Sequence, residues 1–420
     1  MLILVFLALL LIGVPIAIVL GETAIAYIWL SDNPLLYLSF PQQLFSGLER
    51  YGLLAIPLFI LTGELMNEGG ITRRLIAVAG IFVGGLRGGL AYINLVANMM
   101  MASIIGSSTA QIAIMSKAMI PEMTKRGYPV EFAAATTAAG GLLSPIIPPS
   151  MLFVIFGVLA QVSIGDMFLA GIIPGVMMAA GFLIAISLLG LRYQYPKSEW
   201  YTGQEVLEHL IYGVPAMLVP VAMIGGITSG LATPTESAAL GSIAAFMIGK
   251  FVYRDLVLSR LAEVFTSTAL TSAMVLFLVA TANVFGWVIV FEKLPQMLAV
   301  WLTGLTADPF IFLLLLSVVM LIVGMVIDGI AALILVVPLL LPVAVDTYGI
   351  SPYHFGVIIC INIVLGLLTP PVGAGLFIVS AIASTSPGKV FMALLPFLLT
   401  TVFCLVVICF QPVLVTFFIE

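Results

Sequence analysis

Asp328 stands alone in the apolar run Gly324-Met325-Val326-Ile327-Asp328-Gly329. A carboxylate at membrane depth is costly and by default marks a functional site. It could cap a helix at a turn, or hold a cation whose charge offsets the cost of burial; the second reading is favoured. A parallel run, Gly106-Ser107-Ser108-Thr109, has no acid but three hydroxyls. Hydroxyl and carbonyl oxygens can coordinate a monovalent cation such as sodium without formal charge. Each run is followed by a proline cluster, Ser144-Pro145-Ile146-Ile147-Pro148-Pro149 and Thr369-Pro370-Pro371. Proline removes a backbone donor and clashes with the preceding turn, so a helix must unwind there and free its carbonyls. The bland alternative is a kink needed only for packing. Candidate sodium ligands are Ser107, Ser108, Thr109, Ser144 and Pro145 in one half, and Gly324, Asp328, Gly329, Thr369 and Pro370 in the other. Ser108, Thr109, Ser144 and Thr369 are also candidate substrate contacts. This gives one ion site per half. No lysine or arginine stands at either tip. Any anion bound there would have to rest on half-helix N-termini, hydroxyls and bound cations.

The chain that must position these residues has 420 of them, 62% hydrophobic and only 8% charged, with mean hydropathy +1.28. Soluble domains carry roughly a quarter charged residues, so this composition implies an integral membrane protein. Unbroken apolar runs such as 310–316 and 391–399 exclude the alternation of a barrel and imply spanning helices. Net charge −5 offers no basic field for nucleic acid. Cys360, Cys404 and Cys409 lie in apolar segments without metal or disulfide spacing. Residues 1–20 lack a cationic leader and cleavage site, so they read as a first span.

Further apolar segments cover 52–66, 88–120, 132–162 and 167–191, then 211–227, 237–248, 264–291, 310–345, 353–383 and 390–418. Segments 88–120 and 310–345 are too long for one span and are interrupted at the two candidate tips. They read as re-entrant hairpins. The features recur at constant spacing: Gly127 and Gly349, Pro148 and Pro370, Pro149 and Pro371, and Pro174 and Pro396 are each 222 residues apart. Cationic clusters at Lys117/Lys125/Arg126, Arg192/Lys197, Lys250/Arg254/Arg260 and Lys389 should be cytoplasmic. The first hairpin, flanked by Arg87 and Lys125-Arg126, then enters from the cytoplasm. The second, flanked by Asp308 and Asp346, enters from outside.

The expected organisation is an all-α polytopic membrane protein with an inverted structural repeat. The first repeat covers 1–191, with hairpin 88–122 and broken helix 131–162. A cytoplasmic connector covers 192–210. The second repeat covers 211–420, with hairpin 309–345 and broken helix 352–383. Inverted hairpins and broken helices are the pattern of a secondary transporter with its site at the midplane.

Four motifs extend this reading: Ala55-Ile56-Pro57-Leu58-Phe59-Ile60-Leu61-Thr62-Gly63 leading to Gly69-Gly70-Ile71-Thr72-Arg73-Arg74-Leu75; Gly225-Gly226-Ile227 with Thr233-Pro234-Thr235-Glu236; Lys125-Arg126-Gly127-Tyr128; and Gly366-Leu367-Leu368-Thr369-Pro370-Pro371-Val372-Gly373. In this order, over essentially the whole chain, they resemble the large membrane subunit of TRAP (tripartite ATP-independent periplasmic) transporters. The resemblance implies a sodium-coupled, elevator-type importer of an organic acid in the bacterial cytoplasmic (inner) membrane. Sialic acid, C4-dicarboxylates, other sugar acids and keto acids all remain open. It also implies two partners, a soluble periplasmic substrate-binding protein and a small four-helix membrane subunit. The length leaves no room for that subunit fused in front.

Other features have structural accounts. Thr233, Pro234 and Glu236 form a capping box that starts a helix. His209 falls in the polar connector and His354 at a capping position after Ser351-Pro352. Trp29, Trp200, Trp287 and Trp301 fit interfacial anchors, and the 192–208 stretch with Tyr201 fits an amphipathic surface connector. An enzyme is not expected: Asp328 has no partner carboxylate for an aspartyl protease, and no histidine lies near Ser107 or Ser108. The competing function is a sodium-independent or proton-coupled organic-anion transporter or channel. Whether Ser144 pairs with Thr369 or Gly366 stays open.

Overall fold

The computed structural model describes residues 2–31, 33, 35–83, 85, 88–193, 195 and 202–419. Asp32, Pro34, Arg87 and, within the predicted connector, residues 194 and 196–201 with Lys197, Trp200 and Tyr201 lie outside the described residues.

The first half runs through α1 (Leu2–Leu11), α2 (Ile16–Leu30), α3 (Leu35–Ser46), α4 (Ala55–Glu68) and α5 (Ile71–Val83). The hairpin α6 (Gly89–Ile105) and α7 (Ser108–Lys125) follows, then the broken pair α8 (Val130–Gly141) and α9 (Met151–Ala160), then α10 (Ile164–Tyr193). The second half opens with α11 (Gly203–Thr228), α12 (Pro234–Met247), α13 (Leu261–Phe291) and α14 (Leu294–Leu305). Its hairpin is α15 (Pro309–Val326) and α16 (Gly329–Pro342), and its broken pair is α17 (Pro352–Leu367) and α18 (Ala374–Ile382). α19 (Pro387–Phe410) and α20 (Val413–Thr416) close the chain, with no strand among the described residues.

Six described helices are long and apolar enough to cross a membrane, and α3 with α4, bent by 50°, makes a seventh candidate. Bulky apolar side chains cover the outer surface: Trp29 is 70% and Trp301 62% exposed. Lipid contact accounts for both, and Trp287 is half-buried.

The repeats run in opposite directions, as helix α10 shows. At its start Asp166 accepts from the Tyr353 hydroxyl, 3.2 Å away, in the first turn of α17. Just past its end, the Tyr195 ring stacks on Phe132 at 4.3 Å, in the first turn of α8. Thirty residues of helix, about 45 Å, therefore separate the starting points of the two broken helices. One starts where the other cannot reach, at the opposite face.

Three expectations need correction. The span predicted over 1–20 is two helices, because Pro15 cannot continue α1 and instead precedes α2. The connector predicted over 192–210 is shorter. A capping box between Thr202 and Glu205 starts α11, so His209 lies inside that helix. Finally, α14 has no counterpart among the predicted segments.

The halves interlock. Helix α4 packs along α12 and α13, where Thr62 Oγ1 lies 2.8 Å from Ser242 Oγ. Arg74 pairs with Asp255 at 2.6 Å under a cation–π contact to Tyr253, and Arg260 pairs with Glu68 at 3.1 Å. The hairpins also cross over: α7 packs on α18, and α16 on α9. Each tip is thus braced by an element of the opposite repeat.

Candidate substrate and ion site

The first tip turns at Gly106, whose φ of +63° is a left-handed conformation that suits glycine. A Cβ there would lie 3.3 Å from the Met151 backbone nitrogen, so the turn rests on the start of α9. Ser107 precedes α7 as its N-cap residue, with its Oγ 3.2 Å from Thr109 Oγ1. Behind the tip runs a buried amide chain. Gln111 Nε2 donates to the Asn98 carbonyl and to Asn98 Oδ1, both at 2.9 Å. Asn98 donates to Asn94, and Asn94 to Thr137 Oγ1 at 2.7 Å. The chain ties both arms of the hairpin to α8. Gln111 Oε1 remains without a protein partner.

The second tip is built differently. Asp328 is the N-cap residue of α16, and its carboxylate accepts from the Ile330 N–H at 3.2 Å. The capping role is realised, yet one oxygen suffices for it and the side chain stays exposed. The tip is held by backbone. A Cβ on Gly366 would lie 2.6 Å from Gly324 Cα, so α17 and α15 cross where only glycine fits. The Gly373 N–H donates to the Met325 carbonyl at 3.2 Å, fastening the tip to the start of α18.

Between the halves of each broken helix, Pro148–Pro149 and Pro370–Pro371 are cis. Of the carbonyls expected to be freed, that of Pro145 is taken: it accepts from Ser150 Oγ at 2.6 Å, while Ser150 also caps α9. Ser144 is fully buried and its hydroxyl has no partner. Thr369 Oγ1 donates to the Leu365 carbonyl at 2.7 Å, and Pro370 is exposed. Ser144 and Thr369 both stand just outside their helices, each N–H reaching three residues back. Gly366 is still inside α17, so in helical context Thr369 matches Ser144.

A cavity of about 390 Å³ joins the two tips. Ser107, Ser108, Thr109 and Pro145 line it from the first repeat, Asp328 and Gly329 from the second. Ser144, Gly324, Thr369 and Pro370 stand outside its lining. The facing wall is α13, through Thr271, Met274, Val275 and Leu278. The N-terminal turns of α7, α9 and α16 all contribute residues, so three positive helix ends meet there. Anion and cation can share such a site, the anion on helix ends and the cation on Asp328 and hydroxyl oxygens.

The amide chain and the α13 wall are absent from the sequence reading. Amides at Asn94, Asn98 and Gln111, and hydroxyls at Thr268, Thr271 and Ser272, are intramembrane polar groups that could have pointed there. His354 does not cap its helix: buried, it meets the Ile408 carbonyl at 2.8 Å. Thr233, Pro234 and Glu236 do form the expected capping box.

Inverted hairpins and broken helices around one central cavity define a polytopic helical transporter, not an enzyme. The crystal structure of the Alcanivorax borkumensis YdaH transporter has the same fold, with TM-score 0.64 at 15% identity, covering 90% of this chain and 88% of that one. The family of the tripartite ATP-independent periplasmic transporter DctM component matches residues 3–414. The chain belongs to this family. It is 38% identical over 374 residues to the 2,3-diketo-L-gulonate TRAP transporter large permease protein YiaN of Escherichia coli (strain K12), covering 89% of this chain and 88% of that protein. To the sialic acid TRAP transporter large permease protein SiaM of Vibrio cholerae it is 35% identical over 407 residues, covering 97% and 95%.

Proposed function

We propose that this chain is the transporting subunit of a sodium-driven importer of an organic acid, working in the bacterial cytoplasmic membrane. The observation that carries the reading is the shared cavity. Asp328 and the Ser107–Thr109 hydroxyls face one space together with three helix N-termini. A carboxylate substrate beside Asp328 would be repelled unless cations lay between them. One sodium ion per repeat supplies them, the first at Ser107, Ser108 and Thr109, the second at Asp328 and Gly329. Ser144 lies outside the cavity lining, where its buried hydroxyl without a protein partner is a cost that a bound ion or water would remove. Gly324, Pro145, Thr369 and Pro370 shape the backbone around these sites.

Transport is by an elevator movement in which the hairpins and broken helices slide against the scaffold of α4, α12 and α13. The α13 wall against the tips, aliphatic and thioether apart from the Thr271 hydroxyl, supports this, since it offers few polar ties to break in sliding. Partners are a periplasmic binding protein that delivers the acid and a small membrane subunit. The test is uptake into proteoliposomes holding the chain with both partners, with and without an inward sodium gradient. Accumulation should need sodium and the binding protein together. Uptake driven equally by a proton gradient, or by neither, would replace this mechanism with a proton-coupled or channel-like one.

A further inference from the structure

Resting on the sodium reading above, we infer that the substrate is a monocarboxylate with an apolar aliphatic body, neither a dicarboxylate nor a polyhydroxylated acid. Charge sets the first limit. The described lining of the cavity holds one charged side chain, Asp328, and no lysine, arginine, histidine, asparagine or glutamine. Two sodium ions balance Asp328 and one carboxylate. A second carboxylate would leave net negative charge at membrane depth with no cationic residue to meet it.

Wall chemistry sets the second limit. The polar groups lie on the hairpin-tip side, apart from the Thr271 hydroxyl on α13. The rest of the space is bounded by thioether and aliphatic groups, among them Met151, Met274, Leu278 and Leu367. Each hydroxyl of a sugar acid turned toward that wall would lose its water without gaining a partner, which penalises binding strongly. An alkyl chain pays nothing there, and it gains from the polarizable methionines, which adapt to its shape.

The experiment is calorimetric titration of the full-length chain in lipid nanodiscs with 4-methylpentanoate, succinate and N-acetylneuraminate, each in sodium and in potassium chloride. In sodium, 4-methylpentanoate should bind about tenfold or more tighter than either of the others. Met274 is 65% exposed, so Met274→Gln should fold normally. It should weaken 4-methylpentanoate severalfold and leave succinate unchanged. Tighter binding of succinate or N-acetylneuraminate in sodium, or no binding of 4-methylpentanoate, overturns the inference while sodium dependence is judged separately. Equal binding of 4-methylpentanoate in potassium overturns the sodium reading and removes the charge limit, leaving the wall limit to be decided by N-acetylneuraminate.

Discussion

At the first hairpin the tip is neutral and its support is made of side chains. Ser107, Ser108 and Thr109 face the cavity, and Gln111, Asn98, Asn94 and Thr137 tie the arms to α8. At the second the tip is charged and is fastened by backbone, Gly324 against Gly366 and Met325 O against the Gly373 N–H, with one buried side-chain bond further along the arm, from Asn362 Nδ2 on α17 to Ser317 Oγ on α15. Positions 222 residues on from Asn94, Asn98 and Gln111 are Leu316, Met320 and Leu333. The same helical plan is therefore stabilised with a different balance, an extended amide chain in one half and a glycine crossing with a single amide–hydroxyl bond in the other. A hydrogen-bonded amide chain specifies one geometry, whereas a glycine crossing permits close approach and brings no polar group to the tip. The one carboxylate in the described lining of the cavity sits at the tip that backbone contacts fasten.

The largest effect expected from this contrast is at Asp328. If the carboxylate holds a cation, Asp328→Ala removes the one charged ligand in the described lining, and sodium-driven uptake should fall roughly a hundredfold, about 3 kcal/mol. Asp328→Ser keeps a helix cap and removes the charge, so it separates the two roles. Uptake by Asp328→Ser at the wild-type rate would reduce Asp328 to a cap.

Next come the two supports. Gly366→Ala places a methyl group against Gly324 and should lower stability by about 1–3 kcal/mol through overpacking, read as a lower Tm in detergent. Gln111→Leu strips Asn98 Oδ1 of its donor in a buried site and should cost a comparable ~1–3 kcal/mol. The distinguishing readout is what sodium restores. Gly366→Ala strains the backbone beside Asp328, so raising sodium should recover part of its Tm. Gln111→Leu breaks a chain that no ion contacts, and sodium should not recover it. Equal recovery in both would erase the contrast between the supports.

Much of this was legible in the sequence because it depends on local chemistry. Long apolar runs broken at Gly106-Ser107 and at Ile327-Asp328 can only be hairpins in a membrane, and proline pairs unwind helices wherever they fall. The capping box at Thr233 and Glu236 is equally local. What escaped is what depends on three dimensions. Nothing in the spacing places Thr271 and Met274 opposite the tips, since that follows from how α13 crosses both repeats. The Pro145 carbonyl was expected to be free, and only the fold brings Ser150 back onto it. The Gly324–Gly366 crossing joins residues 42 apart whose types alone suggest flexibility, not contact. Helix α14 was missed because its polar residues, Gln296 and Thr303, dilute a 12-residue stretch below the length of a span.

The smallest effect belongs to the neutral tip. Ser108 is 9% exposed at the first turn of α7 and contributes one hydroxyl among three. Ser108→Ala removes a single uncharged ligand, and Ser107, Thr109 and backbone oxygens remain to fill part of its place. The expected loss is ~1 kcal/mol, about fivefold in the sodium concentration for half-maximal uptake, with the maximal rate little changed. Ser108→Thr keeps the oxygen and should keep the affinity, provided the added methyl is accommodated. A hundredfold loss for Ser108→Ala, matching Asp328→Ala, would mean that the two tips bind one shared ion. Charge and hydroxyls would then be ligands of the same site, and the difference between the repeats would be a division of labour around a single cation.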